Sequence, residues 1–207
     1  MDPPASKDKN PKYDMILEAA VKVFAENGFR RSTISQIARE AGVADGTIYL
    51  YFKNKDDIQV QFFEYKARQV FERFRQEVDR AGTSVEKLRN LVRGHLREFQ
   101  REPEMAVVYQ VETHQSRRLV ENQIRAMAKM YQDIIAEIIE EGQREGVIRK
   151  DLYVGLVKRF ILGAVEAVIG TWLYSGKSYD LLTMADPLVD LLIRGIGAGG
   201  PSAQAGR

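Results

Sequence analysis

A chain of 207 residues, 44% of them hydrophobic, holds enough apolar material for a small domain and a larger one, and its formal net charge of +2 is too small for a general nucleic-acid-coating role. It has no cysteine, which excludes disulfides, zinc–cysteine sites and thiol catalysis. No uninterrupted apolar run is long enough for a membrane span, and the opening MDPPASKDKN lacks the apolar core of a signal peptide.

Residues 1–10, polar and proline-containing, read as a flexible arm. A helix is expected from about Pro11 to Asn27, with Ile16, Ala19, Ala20, Val23 and Phe24 as its apolar stripe and Gly28 as its end. Ser32 and Thr33 then stand where hydroxyls can cap the next helix. In that helix Ile34, Ile37, Ala38 and Ala41 fall at i, i+3, i+4 and i+7, on one face about two turns long. Gly42 closes it in a tight turn, and Val43 packs back on Ile37. A second short helix begins near Ala44 or Asp45, with Ile48 and Phe52 inward and Gly46, Thr47, Tyr49 and Tyr51 outward. Helices this short cannot stand alone, and the one ending at Asn27 supplies the third.

This helix, glycine-containing turn and second helix form a helix-turn-helix signature, whose second helix enters a DNA major groove. The candidate DNA-binding residues are Ser32, Thr33, Asp45, Gly46, Thr47, Tyr49, Tyr51, Lys53 and Lys55. Gly46 permits close approach to the sugar-phosphate backbone, and tyrosine hydroxyls bond phosphate oxygens. Lys53 and Lys55 lie where the next helix starts, so their ammonium groups and its exposed amides clamp one phosphate. From Gly28 to Lys55 the chain carries Arg30, Arg31, Arg39, Lys53 and Lys55 against only Glu40 and Asp45. The basic excess is therefore local. A structural helical hairpin with exposed tyrosines is the bland alternative.

Further helices are expected over about Asp56 to Arg80, from Ser84 to about Arg101, from Pro103 to about His114 and from about Arg117 to Glu141, followed by about Asp151 to Tyr174 and about Asp180 to Gly195. Gly142 and Gly146 bracket the end of the fourth of these, and residues 197–207 read as a disordered tail. No strand pattern is apparent. The fold class is all-α: a three-helix helix-turn-helix domain over 11–57 and a helical ligand-binding and dimerisation bundle over 58–196, about nine helices together. LVKRFILGAVEAVIGTWLY is apolar over more than one helical face, with Gly163, Ala164, Ala167 and Gly170 small enough for close approach. Leu181, Leu188, Val189, Leu192 and Ile193 extend the apolar surface. A two-fold homodimer interface is favoured over burial within one subunit, because so small a reading head gains specificity by pairing half-sites. At Pro187 either Asp186 caps a restarted helix or the helix kinks.

Candidate ligand-lining residues are Leu96, Phe99, Val107, Val111, Met127, Met130, Tyr131, Ile134, Phe160 and Trp172, although core packing explains each of them singly. Methionines adapt to varied apolar shapes, and Arg117, Arg118, Arg125 and Lys129 add a cationic group, the last three along one helical face. An apolar tunnel with a cationic rim suits an amphipathic anion such as a fatty acyl thioester of coenzyme A. A solvated charged face, with Glu121 and Asp133 as partners, is the alternative. His95 and His114 have no metal-type spacing, and Glu98, Glu112 and Glu166 are isolated as bases, so no enzyme, metal or cofactor is expected.

Residues 13–57 resemble the DNA-binding domain of the TetR family of bacterial transcriptional regulators. The resemblance rests on Ile16 to Phe24, Asn27-Gly28-Phe29, Thr33-Ile34, Ile37-Ala38, Ala41-Gly42-Val43 and Gly46-Thr47-Ile48-Tyr49-x-Tyr51-Phe52-x-x-Lys55. Tyr51 stands where that family frequently has histidine, and still offers a phosphate donor. The resemblance implies a dimeric cytoplasmic repressor that reads a palindromic operator and is released by a small ligand held in its C-terminal domain. AGVADGTIYLYFKNKDDI, Gln110-x-Glu112-x-x-Gln115-Ser116, and Thr171-Trp172 followed by Tyr179-Asp180-Leu181 are similar to the TetR-type fatty-acid-degradation regulators, the FadR group. That similarity implies a repressor of β-oxidation genes released by long-chain acyl-CoA. A repressor of a drug-efflux gene responding to lipophilic cations is the competing reading, with Glu112, Glu166, Trp172 and Tyr131 as its pocket groups.

Overall fold

The structure, a computed structural model, describes residues 10–115 and 120–197. Among the described residues the chain is helical, as expected: α1 (Pro11–Asn27), α2 (Ile34–Glu40), α3 (Asp45–Ile48), α4 (Lys55–Asp79), α5 (Ser84–Arg101), α6 (Pro103–Gln115), α7 (Glu121–Glu145), α8 (Val154–Tyr174) and α9 (Ala185–Ile196). Short 3-10 turns occupy Phe29–Arg31 and Leu181–Met184, and one isolated bridge joins Ile148 to Gly197. No described helix is long and apolar enough to cross a membrane. The chain divides into two compact units, residues 1–66 with 107–124, and residues 67–106 with 125–207.

In the first unit Asn10 belongs to the ordered helix start and not to the arm: its side chain accepts from the Lys12 amide at 3.1 Å, with Pro11 just inside. The rest of the expected arm lies outside the described residues. α1 buries Ile16, Leu17, Ala19, Ala20, Val21, Val23 and Phe24. α2 packs across it with Ile37 and Ala38 inward, and its N-terminus carries a capping box in which Thr33 and Gln36 satisfy each other's backbone amides. Gly42, at φ 65, makes the left-handed turn that directs the chain into α3. Ile48 and Phe52 are buried as expected, and Tyr13 stacks on Phe52 with ring centroids 4.9 Å apart.

The second unit is organised around α5, which starts with a second capping box, Thr83 with Glu86, and buries Leu88, Leu91, Val92, His95, Leu96 and Phe99. It packs against α8 and α9. Arg89 reaches Asp186 at 2.9 Å and Asp190 at 3.0 Å, and Arg93 pairs with Asp186. The last expected helix, Asp180 to Gly195, is divided: Asp180 caps the 3-10 turn, and α9 restarts at Ala185. Pro187 is its third residue, where an amide has no partner within the helix, so it costs no hydrogen bond. Asp186 is not the cap, because its carboxylate is turned to the two arginines of α5. α7 runs past Gly142 to Glu145 and ends at Gly146, φ 76. Gly142 serves packing: a Cβ there would sit 2.5 Å from Ile148 Cδ1 and 2.9 Å from Ser84 Oγ. Gly197, assigned to the tail, is held by its bridge to Ile148, while 198–207 lie outside the described residues.

Candidate functional site

The turn between α2 and α3 and the residues after it present one polar and aromatic surface. Gly46 is exposed, and a Cβ built there would meet nothing within 4 Å, so a partner's backbone can approach. Tyr49 is 59% exposed and Thr47 half-buried beside it. Asp45 accepts a hydrogen bond from the Ser35 hydroxyl, which joins α3 to α2. Thr33 and Lys53 are also exposed, while Tyr51 is half-buried with Asn10 Nδ2 at 3.5 Å from its hydroxyl.

Two of the expected contacts face the other way. Ser32 is 2% exposed, and its hydroxyl donates to Gly28 O at 2.8 Å and Val23 O at 3.2 Å. Lys55 lays its ammonium on Phe29 O and Ser32 O, each at 2.7 Å, and on Arg30 O at 3.4 Å, with the Phe29 ring beneath it at 4.5 Å. The physical reason is local: Phe29 O keeps only the 3.3 Å bond from the Ser32 amide along the backbone, and it, Arg30 O and Ser32 O converge on the start of α4, where a cation satisfies their remaining lone pairs. Ser32 and Lys55 therefore direct their polar groups to the backbone around the turn Phe29–Arg31. Leu50 is an addition to the set, 80% exposed between Tyr49 and Tyr51. The signal was present in the spacing, since inward Ile48 and Phe52 force the residues between them outward. A large apolar side chain there suits a thymine methyl group.

The ligand candidates separate by unit. Val107 is half-buried and Val111 exposed in the first unit, and Arg117 and Arg118 lie outside the described residues. In the second unit Leu96, Phe99, Tyr131, Ile134 and Trp172 are buried, and Met127 is half-buried. Met130, Arg125 and Lys129 are exposed, and Lys129 pairs with Asp133 at 2.6 Å, the solvated arrangement that was the alternative for that residue. Trp172 donates its indole N–H to Tyr179 O at 2.9 Å and so ties down the end of α8. Phe160 is a correction: at 58% exposed it lines no interior. It belongs to an outward apolar row of α8 with Leu156, Gly163, Ala167 and Tyr174, because α8 is apolar beyond the face its own unit buries. On α9 the exposed apolar residue is Leu191, while Val189 and Leu192 are buried.

Around Tyr131 the interior is aromatic. Tyr131 meets Phe71, Phe74 and His95 at centroid distances of 6.5, 6.0 and 4.8 Å, and His95 meets Phe99 at 5.0 Å. Burial pushes the His95 imidazole down to about 4, so it is neutral at pH 7. Glu98 is paired with Arg73 through two hydrogen bonds, of 3.0 and 2.5 Å, which fits a structural tie and not a base.

A helix-turn-helix with an exposed aromatic tip, in the same chain as a helical bundle with an aromatic-lined interior, defines a DNA-binding regulator of the two-part kind. Residues 16–60 match the family model "Bacterial regulatory proteins, tetR family", and residues 63–195 match "YsiA-like protein, C-terminal region". The chain belongs to the TetR family of bacterial regulators. It is 39% identical over 190 residues to the fatty acid metabolism regulator protein of Bacillus subtilis, covering 92% of this chain and 98% of that one. Two solved structures are similar: the fatty acid degradation regulator FadR of Bacillus halodurans (TM-score 0.86, 36% identity, 91% of this chain and 98% of that chain) and the transcriptional regulator FadR of B. subtilis in complex with stearoyl-CoA (TM-score 0.83, 38% identity, 89% and 99%).

Proposed function

We propose that this protein is a dimeric transcriptional repressor that silences fatty-acid-degradation genes and leaves its operator when long-chain acyl-CoA binds. The observation that carries this reading is the similarity over nearly the whole of both chains to regulators of fatty-acid metabolism, one of them solved with stearoyl-CoA. The geometry supports each part. Gly46, Thr47, Tyr49 and Leu50 meet DNA while Ser32 and Lys55 bind the backbone around the turn Phe29–Arg31. The exposed row Leu156, Phe160 and Tyr174 on α8 pairs with its copy, so that two reading heads address the two halves of a palindrome. The acyl chain occupies the apolar interior of the second unit, with its charged end in water or on the exposed cations.

α4 carries Lys55 in its first turn and Phe71 and Phe74 in its second half. Ligand that displaces Phe71 or Phe74 moves the helix to which the reading head is fastened, and the two heads no longer match successive major grooves. Coupling is reciprocal, so operator DNA weakens acyl-CoA binding by the same factor. The test is fluorescence anisotropy of the full chain on DNA from its own promoter region, titrated with acyl-CoAs of increasing chain length and with free coenzyme A. Release by long-chain acyl-CoA and not by coenzyme A supports the reading; specific binding without release sends the search to drug-like ligands.

A further inference from the structure

His95 is a polar side chain in an apolar place. It projects from α5 among Phe74, Phe99 and Tyr131, with ring centroids at 5.7, 5.0 and 4.8 Å. It is 8% exposed, and its Nδ1 is out of solvent with no hydrogen-bond partner. Buried polar atoms in native proteins are nearly always paired, and leaving one unpaired costs stability that an aliphatic residue of the same size would not cost. Phenylalanine, leucine or methionine would fill this position without that loss. An imidazole kept here is explained by a partner that arrives from outside.

The chemistry of that partner is narrow. The ring is uncharged at pH 7, so it offers one N–H and one lone pair and has no attraction for a phosphate or carboxylate at long range. The surrounding aromatic rings favour an apolar ligand. A ligand that is mostly hydrocarbon but carries one neutral oxygen matches both. A fatty acyl thioester has such an oxygen in its carbonyl, which loses its bonds to water on entering an apolar site and needs a donor there. The ligand's unsatisfied oxygen and the protein's unsatisfied nitrogen relieve each other.

We propose that His95 is the specificity-determining anchor of the effector site, hydrogen-bonding the thioester carbonyl of the acyl ligand while the coenzyme phosphates are held elsewhere. This rests on the acyl-CoA reading above. It assigns the recognition of the acyl group to a neutral donor, not to the cations of α7, so the site distinguishes a thioester from an equally long chain that lacks the carbonyl.

The experiment compares two ligands, palmitoyl-CoA and its thioether analogue S-hexadecyl-CoA, by calorimetric titration of the full-length protein, the His95→Leu variant and the His95→Asn variant. The wild-type protein should prefer the thioester by about three- to tenfold, the worth of one neutral hydrogen bond. His95→Leu should bring the ratio to about one while leaving thioether affinity equal or higher, since it removes the unpaired nitrogen; His95→Asn, which keeps a polar atom near the position of Nδ1, should restore part of the preference. A merely structural role for His95 would alter both affinities together and leave the ratio as it was, and an unchanged ratio in His95→Leu overturns the proposal. If the wild-type protein binds neither ligand, the acyl-CoA reading itself falls and takes this assignment with it; if it binds both equally, only the assignment falls.

Discussion

Replacing Lys55 by methionine keeps the aliphatic stem and removes the ammonium that holds the 3-10 turn against the start of α4. Two bonds of 2.7 Å to carbonyls are lost, with a weaker one of 3.4 Å and the contact over the Phe29 ring. A hydrogen bond to a charged group contributes about 1.5–3 kcal/mol, and a partly exposed cation–π contact about 0.5–1 kcal/mol. Lys55 is only half-buried, and water can reach part of the turn, so the sum is discounted to about 2–3 kcal/mol. For a chain of this length each kcal/mol lowers the unfolding midpoint by about 2–4 °C, which gives a fall of about 4–12 °C by calorimetry or circular dichroism. The dependence of operator affinity on salt separates this from a phosphate contact, because each lysine on a phosphate contributes about 0.9 to the slope of log K against log salt. Lys55→Met should leave that slope unchanged. A variant with wild-type stability and a slope reduced by about one per half-site would place the ammonium on DNA and refute the assignment of Lys55 to the turn.

Tyr49→Ala should weaken operator binding by about tenfold or more across two half-sites, with a change in stability within about 0.5 kcal/mol, since the ring is exposed; anisotropy and thermal melts read the two effects separately. Phe160→Arg puts a charge into the exposed row of α8, and light scattering should find monomer where the parent is a dimer, with operator affinity lost in parallel. Gly142→Ala should destabilise the protein by about 1–2 kcal/mol in urea, because the clash with buried Ile148 and with Ser84 outweighs the better helix propensity of alanine. Asp186 is held below the usual carboxylate range first by its hydrogen bond from Arg89 and then by that from Arg93. Its contribution is present above the unfolded pKa and lost as pH falls through the lower folded value, so Asp186→Asn should flatten the acid limb of the stability curve below about pH 4, while an identical limb would show that the α5–α9 pairs contribute nothing there.

The helices were legible because their signals are local. Apolar spacing located the face of α1, the capping hydroxyl of Thr33 located the start of α2, and glycines at positive φ marked the ends of α1 and α7. A restart near Pro187 was among the readings of the last expected helix, but the role of Asp186 was not, because the arginines it pairs with come from α5, almost a hundred residues earlier. The same distinction separates the two parts of the site. Tyr49 and Gly46 could be placed outward from Ile48 and Phe52 alone, whereas Val107, Phe99 and Phe160 look alike in a sequence, and the structure puts one half-buried, one buried and one exposed.

By itself the sequence determined that the chain is helical, that it carries a helix-turn-helix between Ser32 and Lys55, and which residues form the inward stripe of α1 and of the helix-turn-helix, because helix periodicity and capping act over a few residues. Only the tertiary structure decided that Lys55 serves the turn Phe29–Arg31, that Phe160 faces outward and that His95 lies with an unpaired nitrogen among aromatic rings. The destination of a long or polar side chain depends on carbonyls and rings brought from other helices, and nothing within a few residues of it encodes which of them will be there.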